Sequence, residues 1–164
     1  MRSFAETALA LLLFATGAEA IARKGSCSDK YIPGKSKIKQ NRIEGRWYEI
    51  AKDKDFFDAT QSCQVTDISE NDEGGIRLSR NAYSLKGGWE VKSLNAIKSD
   101  NKRGEYVIYG EDEAPNKYGE TDFSFVTTDY DNYMVEYVCV DIVPNAYYVE
   151  SMSIKARTTT ISET

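Results

Sequence analysis

The chain has 164 residues, 41% hydrophobic and 29% charged, which is the size and balance of one globular domain. A formal charge of −5 and a pI near 4.9 speak against a nucleic-acid partner, which needs a clustered basic face. Histidine is absent, which excludes His-based acid–base catalysis, a Ser–His nucleophile, imidazole-ligated haem and most zinc sites.

In chain order, Arg2 precedes an apolar stretch, Ala8 to Ala15, and Ala18-Glu19-Ala20 then supplies the small residues of a cleavage site. Residues 1–20 therefore read as a secretory signal peptide, too short for a membrane span. Removing them takes away one basic and two acidic residues, so the charge moves from −5 to −4. The expected product is a secreted, extracellular domain over 21–164 with no membrane span. The basic run Lys35 to Lys39 reads as a solvated loop. From Glu44 onward, short β-branched and aromatic runs alternate with turn sequences such as NDEGG, KGG and DNKRG. Strands are predicted over 45–53, 62–69, 75–84, 88–98, 103–111, 121–129, 133–142 and 147–157. No helical apolar stripe of useful length competes with them. Eight sequential strands joined by short turns suggest an antiparallel meander closed into a barrel, which removes exposed edges. The acidic stretch Asp67 to Leu78 lacks the Gly and Glu a calcium loop needs, Asp72 and Leu78 standing in their places, so it reads as a hairpin turn. No metal site is expected.

Three motifs, in order and at compatible spacing, narrow the fold. Gly45-x-Trp47-Tyr48 resembles the first signature of the lipocalin family, and Thr128-Asp129-Tyr130-x-x-Tyr133 resembles its second. Arg157, ending the last strand, stands where that family has a lone basic residue. The resemblance implies an all-β fold, an eight-stranded up-and-down calyx closed at one end and open to ligand at the other. It also gives Gly45, Trp47, Thr128, Asp129, Tyr130 and Arg157 a structural role: the indole plugs the closed end and the guanidinium packs across it. The stretch Tyr133 to Cys139 is most similar to invertebrate lipocalins of the crustacyanin and apolipoprotein D-like type. In those, an early Cys bonds one in the seventh strand, which implies Cys27–Cys139 here and leaves Cys63 without a partner. The same relatives continue past the Arg with a helix on the outside of the barrel. Here Thr164 falls about where that helix would begin, so the expected fold lacks the C-terminal helix, and an incomplete C-terminus is the preferred explanation.

Function is expected inside the calyx. Phe123, Phe125 and Thr127 fall on one face by alternation, and Val107 and Tyr109 are chosen on the neighbouring strand, where both faces are apolar. An aromatic-lined cavity suits a small hydrophobic molecule. In the last strand Ser151, Ser153 and Lys155 share one parity; either polar groups face the calyx or a bulge shifts the register. The resemblance implies a non-enzymatic carrier of a carotenoid, bilin, retinoid, sterol or fatty acid, with no cofactor beyond such a bound chromophore or lipid. Two alternatives stand beside it. One is a lipid-peroxide isomerase resembling prostaglandin D synthase, with Cys63 as the cavity thiol. The other is a pigment-assembly subunit in a homo- or hetero-oligomer.

Overall fold

The computed structural model describes residues 22–30, 34, 37–53, 61–99, 106–110 and 121–160. Residues 1–21, 31–33, 35–36, 54–60, 100–105, 111–120 and 161–164 lie outside them, and with them the expected leader and the DNKRG turn sequence. Two short N-terminal elements, β1 (Arg23–Lys24) and a 3-10 turn (Cys27–Asp29), precede a one-turn helix α1 (Gln40–Ile43). Eight long strands follow: β2 (Gly45–Lys52), β3 (Gln61–Glu70), β4 (Ile76–Ser84), β5 (Gly88–Lys98), β6 (Tyr106–Gly110), β7 (Thr121–Thr128), β8 (Tyr133–Val143) and β9 (Tyr147–Ala156). Each pairs antiparallel with the next, and β9 pairs with both β8 and β2, so the meander closes on itself. The expected eight-stranded barrel is the fold. The acidic stretch after Asp67 is the β3–β4 turn, held by the Asn71 side chain accepting from the backbone N–H groups of Glu73 and Gly75 at 3.1 and 2.7 Å.

Residues opposite one another across an antiparallel pair share a face, so register fixes what points inward. Leu78 faces Leu94, Phe123 faces Val138, Phe125 faces Glu136, and Met134 faces Lys155. The lower half of the barrel is solid, with Trp47, Ile68, Ile76, Leu78, Ala96, Tyr106, Phe123, Phe125 and Met134 in one buried cluster. A second, smaller cluster lies outside the barrel wall, where the N-terminal segment packs against β8 and β9. There Cys27 and Cys139 form a disulfide, with Tyr137 and Tyr148 beside them. Asp141 on β8 fixes the same segment, accepting from the Ser26 hydroxyl at 2.9 Å and the Cys27 backbone N–H at 2.7 Å. The expected pairing of Cys27 with Cys139 is thus present.

Candidate functional site: the interior of the calyx

The closed end is built by the three motifs. Trp47 is fully buried and its indole N–H donates to the Ile43 carbonyl at 2.7 Å. The Arg157 guanidinium lies 3.7 Å over the indole ring. It also donates to the carbonyls of Arg42, Glu44, Arg46 and Tyr130. A short helix leaves its last carbonyls without intrahelical donors, and Arg157 and Trp47 supply them. Gly45 has φ +95°, and a Cβ there would meet the Arg157 guanidinium at 3.2 Å, so both backbone conformation and space call for glycine. In the β7–β8 turn, burial acts to raise the Asp129 pKa. Hydrogen bonds from the backbone N–H groups of Tyr133, Asn132 and Asp131 and from the Asn132 amide outweigh it and bring the value down to about 2. The Thr128 hydroxyl bridges the same turn, donating to the Tyr133 carbonyl and accepting from the Tyr130 N–H.

Above the plug, Tyr106, Phe123 and Phe125 stack edge to face, with centroids 4.9 to 6.4 Å apart. This aromatic trio is a floor of packed, buried rings. A belt of charge lies over it. Lys155 is fully buried, its ammonium 2.7 Å from Glu136 Oε2 and 2.8 Å from the Thr66 hydroxyl. Burial is the largest influence on the Lys155 pKa and pushes it down, while Glu136 pulls it back up. Arg80 approaches the same carboxylate oxygen at only 3.8 Å. Glu49 and Lys52 form a further pair at 3.3 Å. A cavity of about 50 Å³ sits within the belt, bounded by Glu49, Lys52, Gln64, Arg80, Phe123 and Glu136, with Val138 and Ser151 on the opposite wall. A second, of about 40 Å³, lies on the other side of Arg80, against Gln61, Ala82, Glu90 and Lys92. Towards the open end, Val138, Val140 and Val149 continue the apolar side of the calyx.

With this geometry in view, the match of residues 44–164 to the model of the lipocalin / cytosolic fatty-acid binding protein family has a physical basis. This chain belongs to the lipocalin family. Solved structures that share its fold include the following three. Insecticyanin from the tobacco hornworm Manduca sexta superposes with a TM-score of 0.63 at 17% identity, over 87% of this lipocalin and 75% of insecticyanin. Lobster apocrustacyanin A1 gives 0.58 at 17%, over 80% and 76%. The siderocalin Ex-FABP gives 0.55 at 24%, over 74% and 77%. No curated protein is significantly similar to the chain in sequence.

The lipocalin places the expected ligand-facing residues unevenly. Phe123 and Phe125 point inward, but into the packed floor; of the two, Phe123 borders the cavity. Thr127 is displaced by a bulge between Phe125 and Thr127. It pairs with Val135 on the outer parity, and the buried Thr128 turns inward opposite Met134. On β6 the choice shifts by one residue. Tyr106 and Ile108 pack on the core, whereas Val107 and Tyr109 lie on the other parity, the Tyr109 hydroxyl donating to Glu73 at 3.0 Å. In β9 the open question of register resolves towards the calyx: Ser151, Ser153 and Lys155 face Val138, Glu136 and Met134. Of the missed belt residues, Arg80 shares the parity of the apolar Ile76, Leu78 and Ala82, a signal that alternation along β4 did carry; in β8 both parities around Glu136 are apolar, so its direction waits on the register. Cys63 lies at a β3 bulge with φ +54° and is exposed. The cavity thiol required by the isomerase alternative is therefore not at this position, and Cys63 borders neither calyx cavity.

Proposed function

We propose that this lipocalin is a secreted carrier whose ligand is amphipathic, with an apolar body and a polar head. Family membership and the calyx support the carrier reading, and one structure of the same fold, the siderocalin Ex-FABP, is described as functioning through dual ligand specificities. The signal-like leader and the buried Cys27–Cys139 bond suit an oxidising, extracellular setting. The observation that carries the choice of ligand is the charged belt. A wholly apolar molecule seated in the calyx would leave Glu136 Oε1 and the Arg80 Nε–H dehydrated and unanswered, at about 1–3 kcal/mol for each unsatisfied group. A polar head at the belt, with the body along Val138, Val140 and Val149, avoids that cost.

Native mass spectrometry of protein recovered from its source, followed by solvent extraction, tests this. An extracted molecule with one polar end is expected; repeated recovery of an empty chain that takes up no apolar probe would overturn it.

A further inference from the structure

Glu136 and Arg80 are more specific than a general polar belt. The Glu136 side chain is buried and borders the cavity of about 50 Å³, and its Oε2 already accepts from Lys155. Its second oxygen, Oε1, has no hydrogen-bond partner among the described residues, and neither does the Arg80 Nε–H. Arg80 lies between the two cavities and reaches Glu136 only at 3.8 Å. Buried donors and acceptors are almost always satisfied in native proteins. Here the two residues that carry one unmatched acceptor and one unmatched donor, on β8 and β4, both line a single cavity that Phe123 also borders. About 50 Å³ accommodates a group the size of a hydroxyl or an amide.

We infer that Arg80 and Glu136 form a paired acceptor–donor socket for a neutral head group that both donates and accepts hydrogen bonds, a hydroxyl or a carboxamide. The inference rests on the carrier reading above. A carboxylate head would accept from Arg80 but has no proton to give Glu136 Oε1, and it would bring a second negative charge beside that oxygen. A hydrocarbon answers neither atom. A hydroxyl or amide answers both and adds no charge to be dehydrated.

The test is competition against a neutral fluorescent apolar probe, N-phenyl-1-naphthylamine, by four ligands of equal chain length: 1-decanol, decanamide, decanoate and decane. Decanol and decanamide are expected to compete at least about tenfold better than decanoate and decane. In Glu136→Gln the side-chain amide can itself donate, so decanoate is expected to gain on decanol. In Arg80→Met, whose side chain is partly exposed, all four are expected to converge. Arg80→Met also keeps the test open should Glu136→Gln fail to fold. Decanoate binding tightest to the parent chain, or decanol matching decane, would overturn the socket. Failure of the probe itself to bind would instead overturn the carrier reading.

Discussion

Glu136→Gln removes the carboxylate that lies 2.7 Å from a fully buried ammonium, and its cost can be worked out from the neighbours that remain. Lys155 would keep the Thr66 hydroxyl at 2.8 Å and the more distant charge of Glu49, and Arg80, now 3.8 Å from the Glu136 carboxylate, would lose that neighbour. Breaking a buried pair from one side costs about 3–5 kcal/mol, which for a domain of this size lowers Tm by about 10 °C or more. Lys155→Met leaves the opposite residue, a Glu136 that Arg80 can still approach, so a smaller loss of about 2–3 kcal/mol is expected. Glu136→Leu combined with Lys155→Met removes both charges of the buried pair while Arg80 still loses its neighbour, so a loss clearly smaller than that of Glu136→Gln, about 1–2 kcal/mol, is expected. The pH dependence carries a sign. In Glu136→Gln the folded-state pKa of Lys155, already lowered by burial, falls further below its unfolded value, so the unfolded chain binds more protons. Stability then rises as pH climbs from 7 towards 10, and the deficit shrinks. Urea unfolding of the parent, both single variants and the double variant at pH 7 and pH 9.5 reads all of this. Equal losses in the two single variants, or a Glu136→Gln deficit unchanged with pH, would refute the reasoning.

Three further outcomes follow from the same contacts. Trp47→Ala empties the closed end and strips Arg157 of its ring contact, so a loss of about 3–5 kcal/mol and little secreted folded protein are expected; a normally folded variant would contradict the plug. Reduction of Cys27–Cys139, whose residues are 112 apart in sequence, is expected to cost roughly 4–5 kcal/mol in the chain-entropy account. Urea midpoints with and without reductant, measured in a Cys63→Ser background to prevent exchange, check this, and coincident midpoints would contradict it. Asp129, held at about 2 by its turn, contributes stability that is present above pH 4 and lost as pH falls through 2. After allowance for solvent screening this is about 1–2 kcal/mol. Acid unfolding of Asp129→Asn should lack that component, and an unaltered acid limb would show the turn does not depend on the charge.

The barrel was legible because its turns are. NDEGG and KGG break the chain where β3 meets β4 and β4 meets β5, and every predicted strand overlaps an observed one. The closed end was legible because Gly45, Trp47, Asp129 and Arg157 are held by local, position-specific contacts. The interior was not, because facing is decided by register and bulges, which are long-range. One extra residue between Phe125 and Thr127 sent Thr127 outward. In Tyr106 to Tyr109 both parities are apolar, so alternation carried no information about which residues pack inside. Glu136 stands in a run that is apolar on both parities, and only its pairing with Phe125 and Ser153 shows it facing in. Ser151, Ser153 and Lys155 gave the one sequence-level hint that the calyx is not wholly apolar.

The carrier account stands most directly on whether the calyx itself takes up a ligand. Titration of N-phenyl-1-naphthylamine should saturate at one molecule per chain. Ser151→Phe, which projects into the calyx opposite Val138, should abolish that uptake. Met152→Phe, one residue along on the outer face opposite Tyr137, should leave it unchanged. Uptake that survives Ser151→Phe, or is lost equally in both variants, would contradict binding inside the barrel.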